Sequence, residues 1–174
     1  MKKRGVVLVS VLVSLLLTAG GFARSAQAAD CEGAWAYGRI PFSGTHWGWY
    51  ILFNYCFPTV PGQNCGTYST VMFAGQSVEV ANVVLSIFHD PDEPNFSVGN
   101  SLRVQINPIV GYVLEDVRAW VSTSPVPKNP SPGKFPYQLD PNELGNFDAL
   151  IPLPPTPNTQ LYVAIHAEAC SGLP

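Results

Sequence analysis

The sequence predicts an all-β fold, an antiparallel β-sandwich of Ig-like or jelly-roll-like kind with about eight strands, stabilised by disulfides. Three observations lead there. Short runs of alternating apolar residues recur between Gly, Pro and Asn punctuation, and no ten-residue window carries a helical period. All seventeen prolines fall after residue 40, and charged residues are sparse at 12% beside 11% aromatics, a composition that suits an extracellular β module better than a helical one. Four cysteines complete the picture in a chain that opens with an export signal.

The strands follow in order. Residues 34–39 read as the first, 46–56 as the second and 66–74 as the third. Residues 77–89 are long enough to carry a bulge. Their apolar parity shifts from even (Val78, Val80) to odd (Val83, Leu85, Ile87), as one extra residue requires. Stretch 101–109 alternates cleanly, Leu102, Val104 and Ile106 inward and Arg103, Gln105 and Asn107 outward. Residues 113–122 follow the tight Gly111-Tyr112 break, 148–153 are short, and 161–170 form the last strand. Two longer loops separate them, 89–100 and the proline-rich 123–133, while 140–145 holds at most one helical turn.

Residues 1–28 read as a secretory signal peptide. Lys2, Lys3 and Arg4 precede an apolar run from Val6 to Ala19, and Ala26-Gln27-Ala28 supplies a small-x-small cleavage site. The run is shorter than the roughly 20 apolar residues of a membrane span. Cys31 lies near the cut, but Asp30 before it spoils a lipobox. Residues 29–174 have the length of a single secreted domain, with neither repeat nor linker. Without the signal, five Lys+Arg face twelve Asp+Glu, a formal −7. That balance argues against nucleic acid and anionic membrane as partners, both of which are gripped by Lys and Arg.

Four cysteines in an exported chain read as two disulfides, with three connectivities open. Cys56–Cys65 would close the Pro/Gly loop "CFPTVPGQNC", and Cys31–Cys170 would tie the chain ends together. The competing metal or thiol site wants spacings such as C-x₂-C, which do not occur.

Sequence chemistry is thin. There is no G-x-S-x-G elbow, H-E-x-x-H helix or Gly-rich phosphate loop. His166, in "YVAIHAEAC", shares a strand face with Tyr162, Glu168 and Cys170 and could serve a triad, against the plainer role of a polar residue on a half-buried strand. The loop after His89 gathers Asp90, Asp92 and Glu93, a weak calcium candidate or, with His89, a weaker zinc one. It lacks the Gly and closing Glu of an EF-hand, so a solvated acidic tip competes, and no other metal or cofactor is expected.

The stretch "THWGWY" could stack a ligand or fill a core. Strand parity puts Trp47, Trp49, Ile51, Phe53 and Tyr55 on one face, which reads as core, and leaves His46 and Tyr50 outward beside a notch at Gly48. Trp35 and Tyr37 share a face that could pack against Trp47 and Trp49.

From Val71 onward the motif order resembles a family of uncharacterised bacterial and archaeal secreted or cell-surface domains. The matching pieces are "MFAGQSVEVANVVLS", "GYVLEDVRAWVSTSPVP", "PGKFPYQLD", "LIPLP" and "LYVAIHAEAC", over about a hundred residues. Tyr112 stands where that pattern has Trp, Ala81 where it has Gly, and Arg118-Ala119-Trp120 replaces a His-containing strand, whereas His166 matches its "HA". The resemblance implies an all-β extracellular domain without an assigned activity.

The resulting expectation is a secreted, non-catalytic structural or adhesion-type module of the cell surface or matrix, its partner an extracellular glycan or surface protein. The alternative is a lectin-like carbohydrate-binding module using His46, Tyr50, Trp120 and Tyr137. A secreted hydrolase built on His166 is the third reading.

Overall fold

The computed structural model describes residues 30–44, 47–56, 65–93, 100–154 and 160–171. Ten strands form one antiparallel sheet: β1 (Asp30–Ala36), β2 (Ile40–Pro41), β3 (Trp49–Asn54), β4 (Thr67–Ala74), β5 (Val78–His89), β6 (Asn100–Pro108), β7 (Tyr112–Ser122), β8 (Tyr137–Gln138), β9 (Phe147–Pro152) and β10 (Gln160–Ser171). The eight expected strands are all present. The two additional ones are two-residue pairings, too short to leave a periodic signal. A single 3₁₀ turn, Pro132–Lys134, is the one helical element among the described residues, and 140–145 is a turn in which Asn142 Oδ1 accepts from the backbone of Leu144 and Asn146. No helix among the described residues is long and apolar enough to cross a membrane.

Strand β10 is the hub. One edge pairs with β3 near its start and with β1 near its end, and the other edge pairs with β7 along nearly its whole length. From β1 the sheet continues through β4, β5 and β6 to β9 without closing. It curls so that aliphatic side chains from its two halves meet. Leu102, Val104 and Ile106 of β6 and Val83 and Leu85 of β5 join Val117 and Ala119 of β7 and Leu161, Val163 and Ile165 of β10 in one buried core. The two halves thus act as the layers of a sandwich.

Two bulges adjust the alternation. Met72 faces Ala81 but Phe73 faces Glu79, so Val80 is the extra residue on β5, and Val80 and Ala81 are both buried. This is the bulge that the parity shift predicts. A second bulge lies in β7, where Arg118 faces His166 but Glu115 faces Glu168, leaving Asp116 and Val117 opposite Ala167. Asp116 takes a left-handed φ of 44° there, and the inward parity passes from Leu114 to Val117 and Ala119.

Both expected disulfides are present. Cys31 and Cys170 are direct cross-strand neighbours of β1 and β10, 139 residues apart in sequence, and Cys56–Cys65 closes the short loop after β3. Among the described residues no cysteine is free. Such bonds belong to an oxidising environment. The signal segment 1–28 lies outside the described residues.

Candidate functional site: the aromatic outer face

The strands that feed the main core also carry a second, aromatic cluster on their opposite face. On β10, Leu161, Val163 and Ile165 point inward, while Tyr162 and Ala164 join the outer cluster. On β1, Ala34 and Ala36 are inward and Trp35 is outward; on β7, Ala119 is inward and Trp120 outward. Two loops contribute to this outer face, one bringing Phe42 and the other Val126 and Phe135. All four tryptophans of the chain lie here.

Trp35 is the centre of the cluster. It is buried, and its indole meets Phe42 at 4.8 Å, His166 at 4.8 Å and Phe135 at 6.1 Å, all edge-on, a preferred geometry for aromatic pairs. The His166 contact follows from register, because Trp35 and His166 are direct partners across β1 and β10. Farther out, Trp49 meets Tyr37 at 5.2 Å, Phe73 at 6.1 Å and Trp47 at 6.1 Å.

The expectation that Trp47 and Trp49 belong to the main core is corrected. Ile51, Phe53 and Tyr55 are buried in that core as parity requires, but Trp47 and Trp49 are half-buried in the outer cluster. The cause is local. Strand β3 begins only at Trp49, its pairing with β10 only at Ile51, and Gly48 ahead of it has a left-handed φ of 136°. Alternation therefore does not carry back to residue 47. The expected packing of Tyr37 against Trp49 does occur.

Gly48 forms no notch. It is buried, and a Cβ there would come within 2.7 Å of Phe42 and 2.9 Å of Trp35. The glycine lets two aromatic rings cross the backbone, so substitution would collide with both. Tyr50 is half-buried, stacked on Phe42 at 6.2 Å and tilted against Tyr162 at 5.9 Å. Trp120 is half-buried against Phe135, with its indole Nε1 buried and unpartnered. Tyr137 packs against the main core rather than the outer cluster, so it does not share a groove with Trp120 and Tyr50. His46 lies outside the described residues.

His166 is the most distinctive polar group of this face. It is 8% exposed, packed edge-on against Trp35, and Nδ1 has no hydrogen-bond partner. Nε2 is 4.0 Å from Glu168 Oε1, beyond hydrogen-bond reach, and would stand 3.3 Å from a Cβ at Gly33. Burial pushes its pKa down to about 4, against a weaker upward pull from Asp116, so the ring is neutral at ordinary pH. Asp116 is itself paired to Arg118 at 2.8 Å. His166 lines a cavity of about 200 Å³ together with Gly33, Trp35, Trp47, Pro130 and Pro132. A larger cavity of about 430 Å³ lies elsewhere, lined by Arg39, Ile40, Leu52, Phe53, Asn54, Thr67 and Tyr68.

The acidic loop is organised without convergence of its carboxylates. Asp90 Oδ1 accepts from the backbone N–H of Asp92 at 3.0 Å, and His89 Nε2 donates to the Glu93 carbonyl at 2.9 Å, with Nδ1 3.2 Å from Asn100 Oδ1. Among the described residues no three or more His, Cys, Asp or Glu side chains come together as metal ligands; residues 94–99 of this loop lie outside them.

The pairing of Trp35 with His166 escaped sequence reasoning, because antiparallel register between strands 130 residues apart leaves no local pattern. The visible signal was the small-large-small run Ala34-Trp35-Ala36, which marks a strand with a bulky group on one face only. Compared with known proteins, the chain matches no family model, no curated protein and no solved structure.

Proposed function

We propose that this protein works outside the cytoplasm as a non-catalytic structural or adhesion-type module at the cell surface or in the surrounding matrix. The observation that carries this reading is the Cys31–Cys170 staple. Asp30 and Ser171 are register partners, and the disulfide lies one residue inside them. A pull on these two points is taken by a covalent bond before it reaches the β1–β10 hydrogen bonds. Such a frame suits a domain that is tethered and exposed outside the cell. The state of His166 supports a non-catalytic role, since a ring with pKa about 4 and no orienting carboxylate within hydrogen-bond reach makes a poor general base near neutral pH. The aromatic outer face, which includes Tyr50 and Trp120 but not Tyr137, supports the second reading, a carbohydrate-binding module.

The test is fractionation of producing cells with thiol alkylation before lysis. The expected result is recovery at the surface or in the matrix with all four cysteines blocked as disulfides. Cytoplasmic recovery with alkylatable thiols would overturn the reading. So would turnover of ester, peptide or glycoside substrates that is lost in His166→Ala.

A further inference from the structure

A buried polar atom without a partner costs about 1–3 kcal/mol, so a structure that keeps one calls for an explanation. His166 Nδ1 is sealed from solvent, but the same ring lines a cavity with its Nε2 beside Gly33, and the surrounding walls define what could enter. Trp35 is fixed by Phe42 and Phe135, Trp47 is half-buried with its edge contact to Trp49, and Pro130 and Pro132 line the same cavity. The proline wall is held in place by the buried Val126 and Phe135 on either side of it and by the 3₁₀ turn, in which Phe135 N–H donates to the Pro132 carbonyl. Gly33 contributes no side chain, and any Cβ there would crowd Nε2 at 3.3 Å.

From this geometry we propose that the cavity of Gly33, Trp35, Trp47, Pro130, Pro132 and His166 binds a single neutral sugar ring. The nitrogen beside the cavity, Nε2, is a donor or an acceptor according to the tautomer, and a hydroxyl, itself both donor and acceptor, matches either. Indole and proline walls match the C–H faces of a pyranose. At about 200 Å³ the cavity is smaller than the roughly 300–1,000 Å³ of drug-sized sites, so it takes one ring, the end of a glycan, rather than an extended chain. Anions are disfavoured by Glu168 on the same strand and Asp116 on β7, and Arg118, the register partner of His166, is already paired to Asp116. A simple cation would gain from the indoles but would leave the imidazole without a partner. The site adds a ligand class to the surface-module reading and stands or falls separately from it.

The experiment titrates the purified, oxidised protein with the methyl glycosides of glucose, galactose, mannose and N-acetylglucosamine, following tryptophan fluorescence and ligand-observed NMR. Tetramethylammonium and acetate serve as the cation and anion probes. The expected result is saturable binding of at least one glycoside, weakened about tenfold or more by Gly33→Val, by His166→Phe and by Trp47→Ala, a loss of about 1.4 kcal/mol or more. Trp47→Ala is the variant least able to disturb the fold, because this indole is half-buried. The proposal is overturned if no glycoside binds saturably. It is also overturned if binding survives all folded variants unchanged, or if only tetramethylammonium or acetate binds. None of these failures would alter where the protein is found or the state of its cysteines.

Discussion

The two faces of strand β10 are built on the same backbone and differ in almost every other respect. The inner face is Leu161, Val163 and Ile165, aliphatic, fully buried and covered by the opposite half of the sheet. The outer face is Tyr162, Ala164 and His166, covered by aromatic rings and two loops. These three inner side chains are all apolar. The outer face holds a cavity, and the buried and unpartnered His166 Nδ1 and Trp120 Nε1 belong to it. Along β10, interdigitated aliphatic chains fill the inner side, whereas large rings and loops on the outer side enclose a concave space of the kind in which ligands bind.

The largest effect should touch both faces alike. Replacing Cys31 and Cys170 with Ser opens a 139-residue loop and should cost about 5 kcal/mol on the chain-entropy model, lowering the melting temperature of the main-core and outer-cluster signals together. Opening Cys56–Cys65, nine residues apart, should cost about 3 kcal/mol. Separate melting of the two faces would break the picture of one sheet with two coats.

The next effect should fall on the inner face only. Ile165 is fully buried, and Ile165→Ala should cost about 3 kcal/mol by denaturant unfolding, with little change in tryptophan fluorescence of the native state. A cost below about 1 kcal/mol would place the core elsewhere.

Acidification should act from the outer face. The unfolded chain protonates His166 near its ordinary pKa of 6.5, whereas the folded chain resists until about pH 4. The unfolded state therefore binds more protons between these values, so this contribution to stability is full above about pH 6.5 and falls as pH drops toward 4. The loss is at most about 3 kcal/mol. Asp148, whose carboxyl is held below its ordinary value by Arg103, acts in the same direction but at lower pH, as that exposed pair is protonated. Stability of His166→Phe measured from pH 7 to 4.5 should lose most of the wild-type slope; an unchanged slope would assign it to another group.

The smallest effect concerns Trp120. Trp120→Phe removes an indole N–H that is buried without a partner while retaining a ring against Phe135, so stability should stay level or rise by about 1 kcal/mol. A marked loss would mean that the N–H is satisfied in solution.

The inner face was legible in the sequence and the outer face was not, for a physical reason. Alternation such as Leu102, Val104 and Ile106 writes an inner face directly into the chain, and the parity change between Val80 and Val83 wrote the β5 bulge. The β7 bulge carried the same kind of mark, Leu114 against Val117 and Ala119, but the charged pair Asp116 and Arg118 beside it masked the shift. Outer-face residues come from strands and loops far apart in sequence, and tryptophans look alike whether they fill a core or cover a sheet. Strand parity therefore puts Trp47 and Trp49 on the opposite side from the one they occupy, and only strand register brings Trp35 and His166 together.

The most direct measurement is an NMR titration of the oxidised protein with the best-binding methyl glycoside, watching the His166 imidazole, the Trp35 and Trp47 indoles, and the Val163 and Ile165 methyls at once. Shifts should be saturable and confined to His166 and the two indoles, while the methyls stay still. Shifts in the methyls alone, shifts centred on Tyr50 and Tyr137, or no shift in any of these signals would contradict the assignment of function to the outer face.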